Sequence, residues 1–82
     1  MTLKYARHAI RRMKERDITK NDVEIVMQNP DYIEPSVKER FNAFGFINGR
    51  YLRVTYKKEA YGILVITVTI RKKPFKRFGY EN

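Results

Sequence analysis

The chain has 82 residues, carries 18 Lys+Arg against 9 Asp+Glu for a net charge of +9, and contains no cysteine. A chain this short holds one core, and the lack of thiols excludes a disulfide framework and any thiolate metal site. The charge imbalance points toward polyanions such as nucleic acid, or toward an acidic protein partner; the plainer reading is a solvated basic surface.

Met1 to Tyr5 leads straight into charged sequence, and no apolar run approaches the roughly 18 residues of a membrane span. Neither secretion nor insertion is expected, and a cytoplasmic location is. A single domain over 1–82 is expected, divided into a helical pair (1–30), an antiparallel sheet (31–71) and a basic aromatic tail (72–82).

From Lys4 to Arg16, the apolar residues Ala6, Ala9, Ile10 and Met13 fall at three- and four-residue steps and predict a first helix. Tyr5, Arg12 and Arg16 share one shoulder of its stripe, with His8 further round toward solvent. Thr19, followed three residues later by Asp22, reads as an N-cap with an acid in the first turn of a second helix over 20–28. Val23, Val26 and Met27 face the core there, and Asn29-Pro30 ends it. The segment Asp31 to Val37 is a short strand restricted by Pro35 to an edge or an irregular connection.

Asn48-Gly49 is the strongest hairpin signal in the chain, because both central positions of a type I′ turn need positive φ. It pairs Ile47 with Arg50, and counting back pairs Phe46 with Tyr51, Phe44 with Arg53, Ala43 with Val54 and Phe41 with Tyr56. A second hairpin through Lys58 to Gly62 is expected to pair Lys57 with Ile63, hence Val54 with Ile66, Arg53 with Thr67, Leu52 with Val68 and Tyr51 with Thr69. One face then collects Phe41, Ala43, Leu52, Val54, Tyr56, Leu64, Ile66, Val68 and Ile70, the set a sheet lays against helices. The other collects Arg40, Asn42, Phe44, Phe46, Tyr51, Arg53, Thr55, Lys57, Thr67, Thr69 and Arg71, with no carboxylate. In the tail, Phe75, Phe78 and Tyr80 are interleaved with cations, a composition suited to docking as well as to a solvated end.

One histidine, no cysteine and scattered carboxylates make no metal-ligand set, and no cofactor is expected. Ser36 is the only serine and has no glycine elbow, and there is no Gly-rich phosphate loop. What remains is a surface suited to RNA: Phe44, Phe46 and Tyr51 to stack bases, and Arg40, Arg53, Lys57 and Arg71 to track phosphates. Metal-free cleavage needs a base, an acid and cations where charge gathers on phosphorus oxygens. His8 is the only side chain whose ordinary pKa suits acid-base work near neutrality. It shares a site with Arg53 only if both lie on one side of the molecule. Each feature has an ordinary counterpart: His8, Arg12 and Arg16 as solvated helix residues, Thr67 and Thr69 as β formers, and Phe44 and Phe46 as rings covered by the tail or by a partner.

His8-Ala9, Arg12-Met13, Glu15-Arg16, Ile18-Thr19, Asp22-Val23 and Asn29-Pro30, with Arg53-Val54 and Val65 to Val68, resemble a small bacterial and archaeal family catalogued only as a domain of unknown function. Glu39 to Phe41, Gly45, Gly49-Arg50, Leu52, Val54, Tyr56 and Arg71 resemble BrnT-like toxins of the RelE-like ribonuclease superfamily. This likeness implies an α+β, RelE-like fold with two N-terminal helices packed on one face of a three- to four-stranded antiparallel sheet. It also implies metal-independent RNA cleavage restrained by an antitoxin, for which an acidic protein is the expected partner. The likeness raises His8 as acid or base, Arg12 and Arg16 as charge stabilisers, Tyr51 as a stacking or proton-relay group, and Arg53 and Thr67 on the open sheet face. Asp17 stands where a glycine is expected. The rival expectation is a non-catalytic module that binds RNA or a protein with the same face.

Overall fold

A computed structural model describes residues 2–72. The fold is α+β, with elements in the order β1 (Leu3–Tyr5), α1 (Arg7–Glu15), α2 (Lys20–Gln28), β2 (Tyr32–Pro35), β3 (Arg40–Ile47), β4 (Arg50–Glu59) and β5 (Gly62–Arg71). The strands form one sheet in the order β1-β5-β4-β3-β2. The tail aromatics Phe75, Phe78 and Tyr80 lie outside the described residues.

The sheet corrects the expected three or four antiparallel strands: there are five, and β1 runs parallel to β5. Leu3-Lys4-Tyr5 pairs with Ile63-Leu64-Val65, so the first helix begins at Arg7 rather than Lys4. The Ile63 and Ala6 amides donate to the Thr2 and Val65 carbonyls at 3.0 and 2.9 Å. A three-residue strand has little periodicity of its own, and its ladder partner lies some 60 residues along the chain, so nothing local announces it.

The β3–β4 hairpin has the expected register throughout, from Ile47↔Arg50 to Phe41↔Tyr56. Asn48 and Gly49 take φ of 53° and 78°, as the turn demands. The β4–β5 hairpin differs. Its loop is only Ala60-Tyr61, with Glu59 opposite Gly62, and a bulge falls between Thr55 and Tyr56. Val54 therefore meets Val68, Arg53 meets Thr69, Leu52 meets Ile70 and Tyr51 meets Arg71.

Between turn and bulge the register is one residue from the expected one, which exchanges the faces; beyond the bulge it is two residues off, which restores them. Val65 is thus fully buried and Ile63 packs on the core, while Leu64 and Ile66 lose the core places expected for them. Thr67, Thr69 and Arg71 keep their expected face.

Both helices lie on one side of the sheet, where Ala9 and Met13 of α1 and Val23 and Val26 of α2 meet Ala43, Leu52, Val54, Val65 and Val68. Gly45 makes that approach close, since a Cβ there would sit 3.1 Å from both Val26 methyls. The α2 N-terminus has the expected cap in full: the Asp22 amide donates to Thr19 Oγ1 at 3.0 Å and the Thr19 amide donates to Asp22 Oδ2 at 3.1 Å. At the end of α1, Asp17 takes φ 57°, the Ile18 amide reaches the Met13 carbonyl at 2.8 Å, and the Asp17 amide reaches Lys14 at 3.3 Å. This is a Schellman ending, with aspartate in the left-handed position usually given to glycine. Among the described residues, no helix is long and apolar enough to cross a membrane.

Candidate nucleic-acid interface

Strand alternation divides the charged residues between two surfaces. Leu52 and Val54 point toward the helices, so Tyr51, Arg53, Thr55 and Lys57 of β4 point away from them. Pairing then arranges the open face in rows: Tyr32, Phe44, Arg53, Thr69; Glu34, Asn42, Thr55, Thr67; Phe46, Tyr51, Arg71; and Arg40 beside Lys57.

His8 and Arg12 lie on α1 and Arg16 caps its C-terminus, and α1 packs on the other side of the sheet, over β5. The sheet stands between His8 and Arg53, so the expected single site containing both is corrected to two separate surfaces. On α1, Arg12 Nε donates to His8 Nε2 at 3.5 Å and Arg11 Nη2 lies 3.3 Å from His8 Nδ1. Glu15 is 3.3 Å from Arg12 and 3.7 Å from Arg16. These contacts are local to α1 and its C-cap, and the Arg12–Glu15 pair, three residues apart, is worth a few tenths of a kcal/mol.

On the open face, β2 supplies what sequence reading omitted. Glu34 brings a carboxylate to a face expected to have none, and Asn42 Nδ2 donates to it at 3.2 Å. Thr55 Oγ1 donates to Asn42 Oδ1 at 2.6 Å, so Asn42 and Thr55 are engaged with each other rather than open to a ligand.

Phe44, expected to stack bases, is only 1% exposed. Its ring meets Tyr32 at 5.8 Å, and the Arg71 guanidinium lies 5.4 Å from its centroid. Phe46 is the open ring, 54% exposed, and tilts against Tyr51 at 4.7 Å.

The cations of this face are poorly matched. Among the described residues, none of Arg40, Arg53, Lys57 and Arg71 is paired with a carboxylate. Among the described residues, Arg40 Nε, Arg53 Nε and Thr69 Oγ1 on this face, and the Tyr5 hydroxyl on the helix side, are buried without a hydrogen-bond partner. Buried donors are ordinarily satisfied, so such a cluster calls for an explanation. Arg53 and Thr69 are cross-strand neighbours. From Arg53 to Lys57 the cations span about 13 Å along β4.

The opposite treatment is given to a group of residues that sequence reading valued only for local turn and cap chemistry. Arg50 Nη1 donates to the Arg16 carbonyl at 2.7 Å and Nη2 to the Asp17 carbonyl at 3.0 Å, with Asp22 Oδ2 at 3.7 Å. Asn48 Nδ2 donates to Asp22 Oδ1 at 2.8 Å. Asp22 is 4% exposed. The hairpin turn is bolted to the α1–α2 turn, and only the capping spacing of Asp22 hinted at it.

Two phenols on the helix side titrate above their usual range. Burial raises Tyr56, and burial followed by the nearby Glu24 charge raises Tyr5. Among the described residues, no three His, Asp or Glu side chains cluster as a metal-binding group would.

Comparison with curated proteins and with solved structures returned no significant match. A family model described as Domain of unknown function (DUF4258) matches residues 5–70, from the last residue of β1 to the penultimate residue of β5. That span takes in both helices, the bolted turn and nearly all of the open face, and the chain belongs to this family.

Proposed function

We propose that the protein binds RNA across the open face of its sheet. The observation that carries this is the strip of Arg40, Arg53, Lys57 and Arg71, unpaired with carboxylates among the described residues, beside the exposed Phe46–Tyr51 ring pair. Cations that follow a phosphate backbone next to rings that accept bases are the usual means of holding single-stranded nucleic acid. A net charge of +9 strengthens the attraction. In this reading the protein works in the cytoplasm, and an acidic partner protein would compete with RNA for the same cations.

The second reading is metal-independent RNA cleavage by a RelE-like, BrnT-like toxin. It is favoured by the Tyr51 phenol, which sits opposite Arg71 and two residues from Arg53. A phenol can relay a proton while guanidinium groups hold charge on the phosphorus oxygens. His8, Arg12 and Arg16 take no part, being across the sheet, and Thr67 borders the site through Thr55 rather than Arg53.

Binding and cleavage of a mixed single-stranded RNA in EDTA test both readings together. Salt-sensitive binding that falls about tenfold in Arg53→Ala, with RNA left intact, supports the binding module. Cleavage lost in Arg53→Ala and kept in His8→Ala supports the toxin. Wild-type binding by Arg53→Ala would move the interface off this face.

A further inference from the structure

We infer that Arg53, Thr69 and Arg71 together form a seat for one tetrahedral oxyanion, a phosphodiester group of the bound RNA. This rests on the RNA-binding reading and narrows it from a basic face to one defined phosphate position.

Among the described residues, Arg53 Nε and Thr69 Oγ1 are both buried without a hydrogen-bond partner, and their residues face each other across β4 and β5. Two groups of different chemical type, neither partnered among the described residues, suit an oxygen-rich ligand that accepts from both. Arg71 supplies the third side. It begins opposite Tyr51, yet its guanidinium reaches to 5.4 Å from the Phe44 ring, and Phe44 is the β3 neighbour of Arg53. The Arg71 side chain therefore crosses β4 toward Arg53.

Among the described residues, neither the Arg53 nor the Arg71 guanidinium is paired with a carboxylate. The nearest carboxylate on the face, Glu34, stands in the next row and is held by Asn42. The Arg71 guanidinium lies near the buried Phe44 ring, and a guanidinium fork suits phosphate oxygens better than a lysine would. Arg40, with its own unpartnered Nε, lies at the far end of the strip beside Lys57 and is not part of this seat.

The test is a titration of the full chain with inorganic phosphate at low ionic strength, followed by NMR at the Arg53 Nε–Hε group and the Thr69 and Arg71 amides. Saturable shifts confined to these groups are expected. Phosphate affinity should fall about tenfold in Thr69→Val, which removes the hydroxyl but keeps a β-branched strand residue, and in Arg53→Lys, which keeps the charge but loses the fork. Denaturant unfolding of both variants confirms that the fold is intact.

Non-saturating shifts spread over Lys4, Arg7 and Lys58, or wild-type affinity in both variants, would overturn the seat. An RNA arm separates the two levels. RNA bound equally by wild type, Thr69→Val and Arg53→Lys removes the seat and leaves the basic face as the RNA surface. Saturable phosphate binding without RNA binding overturns RNA as the source of the oxyanion.

Discussion

Arg50 and Arg53 lie three residues apart on one strand and have opposite fates. Arg50 faces the helix side, where two carbonyls and the Asp22 carboxylate receive its guanidinium. Arg53 faces the open side, where its Nε is buried with no partner. The difference follows from strand alternation: successive residues face different solvents and different neighbours. It also teaches where to look for function. Polar groups matched inside the chain hold the fold, and polar groups left unmatched on an ordered surface are available to a ligand.

Asp22→Ala removes the reciprocal cap, leaves the Asn48 amide without its acceptor and takes the carboxylate from Arg50. A loss of about 3 kcal/mol is expected in urea unfolding. A loss below about 1 kcal/mol would mean that the bolt between the hairpin and the helix turn contributes little.

Arg53→Ala should show the converse pattern. RNA affinity is expected to fall about tenfold and the slope of log affinity against log salt by about one, while stability stays within about 0.5 kcal/mol of wild type. A stability loss as large as that of Asp22→Ala would make Arg53 a structural residue and erase the contrast.

Alkaline unfolding sharpens the helix side. Tyr56 and Tyr5 hold their protons above the ordinary value of 10.0 in the folded chain, chiefly because they are buried. Their contribution is whole below the unfolded value and is lost as pH rises through the raised folded values. Tyr56→Phe should therefore flatten the fall of stability above pH 10, the reference value for both phenols, and leave the neutral range nearly unchanged. An unaltered alkaline limb would show that Tyr56 is not held in the dry core.

The smallest effect is expected at Asp17, whose left-handed φ of 57° ends α1 and whose carbonyl receives Arg50. Asp17→Gly keeps that carbonyl and relieves the backbone, for a gain of about 0.5 kcal/mol once the added freedom of the unfolded chain is counted. A loss would show that the aspartate side chain itself supports the turn.

Features whose causes are local were legible in the residues themselves. Asn48-Gly49 dictated a turn with positive φ, and with it the whole β3–β4 register and the face on which Arg53 sits. Thr19 and Asp22 dictated the start of α2 and the reciprocal cap. The rest depended on how the folded chain brought distant segments together. Packing paired Leu3–Tyr5 with β5, set the bulge that exchanged Val65 for Ile66, and brought Glu34 onto the open face. It also buried Phe44 and put the sheet between His8 and Arg53. Each of those outcomes depends on which distant segments meet, and a pattern of nearest neighbours carries no record of a partner many residues away. Residue type could mark His8 and Arg53 as chemically interesting, but only the packing of α1 on the far side of the sheet could say that they do not share a site.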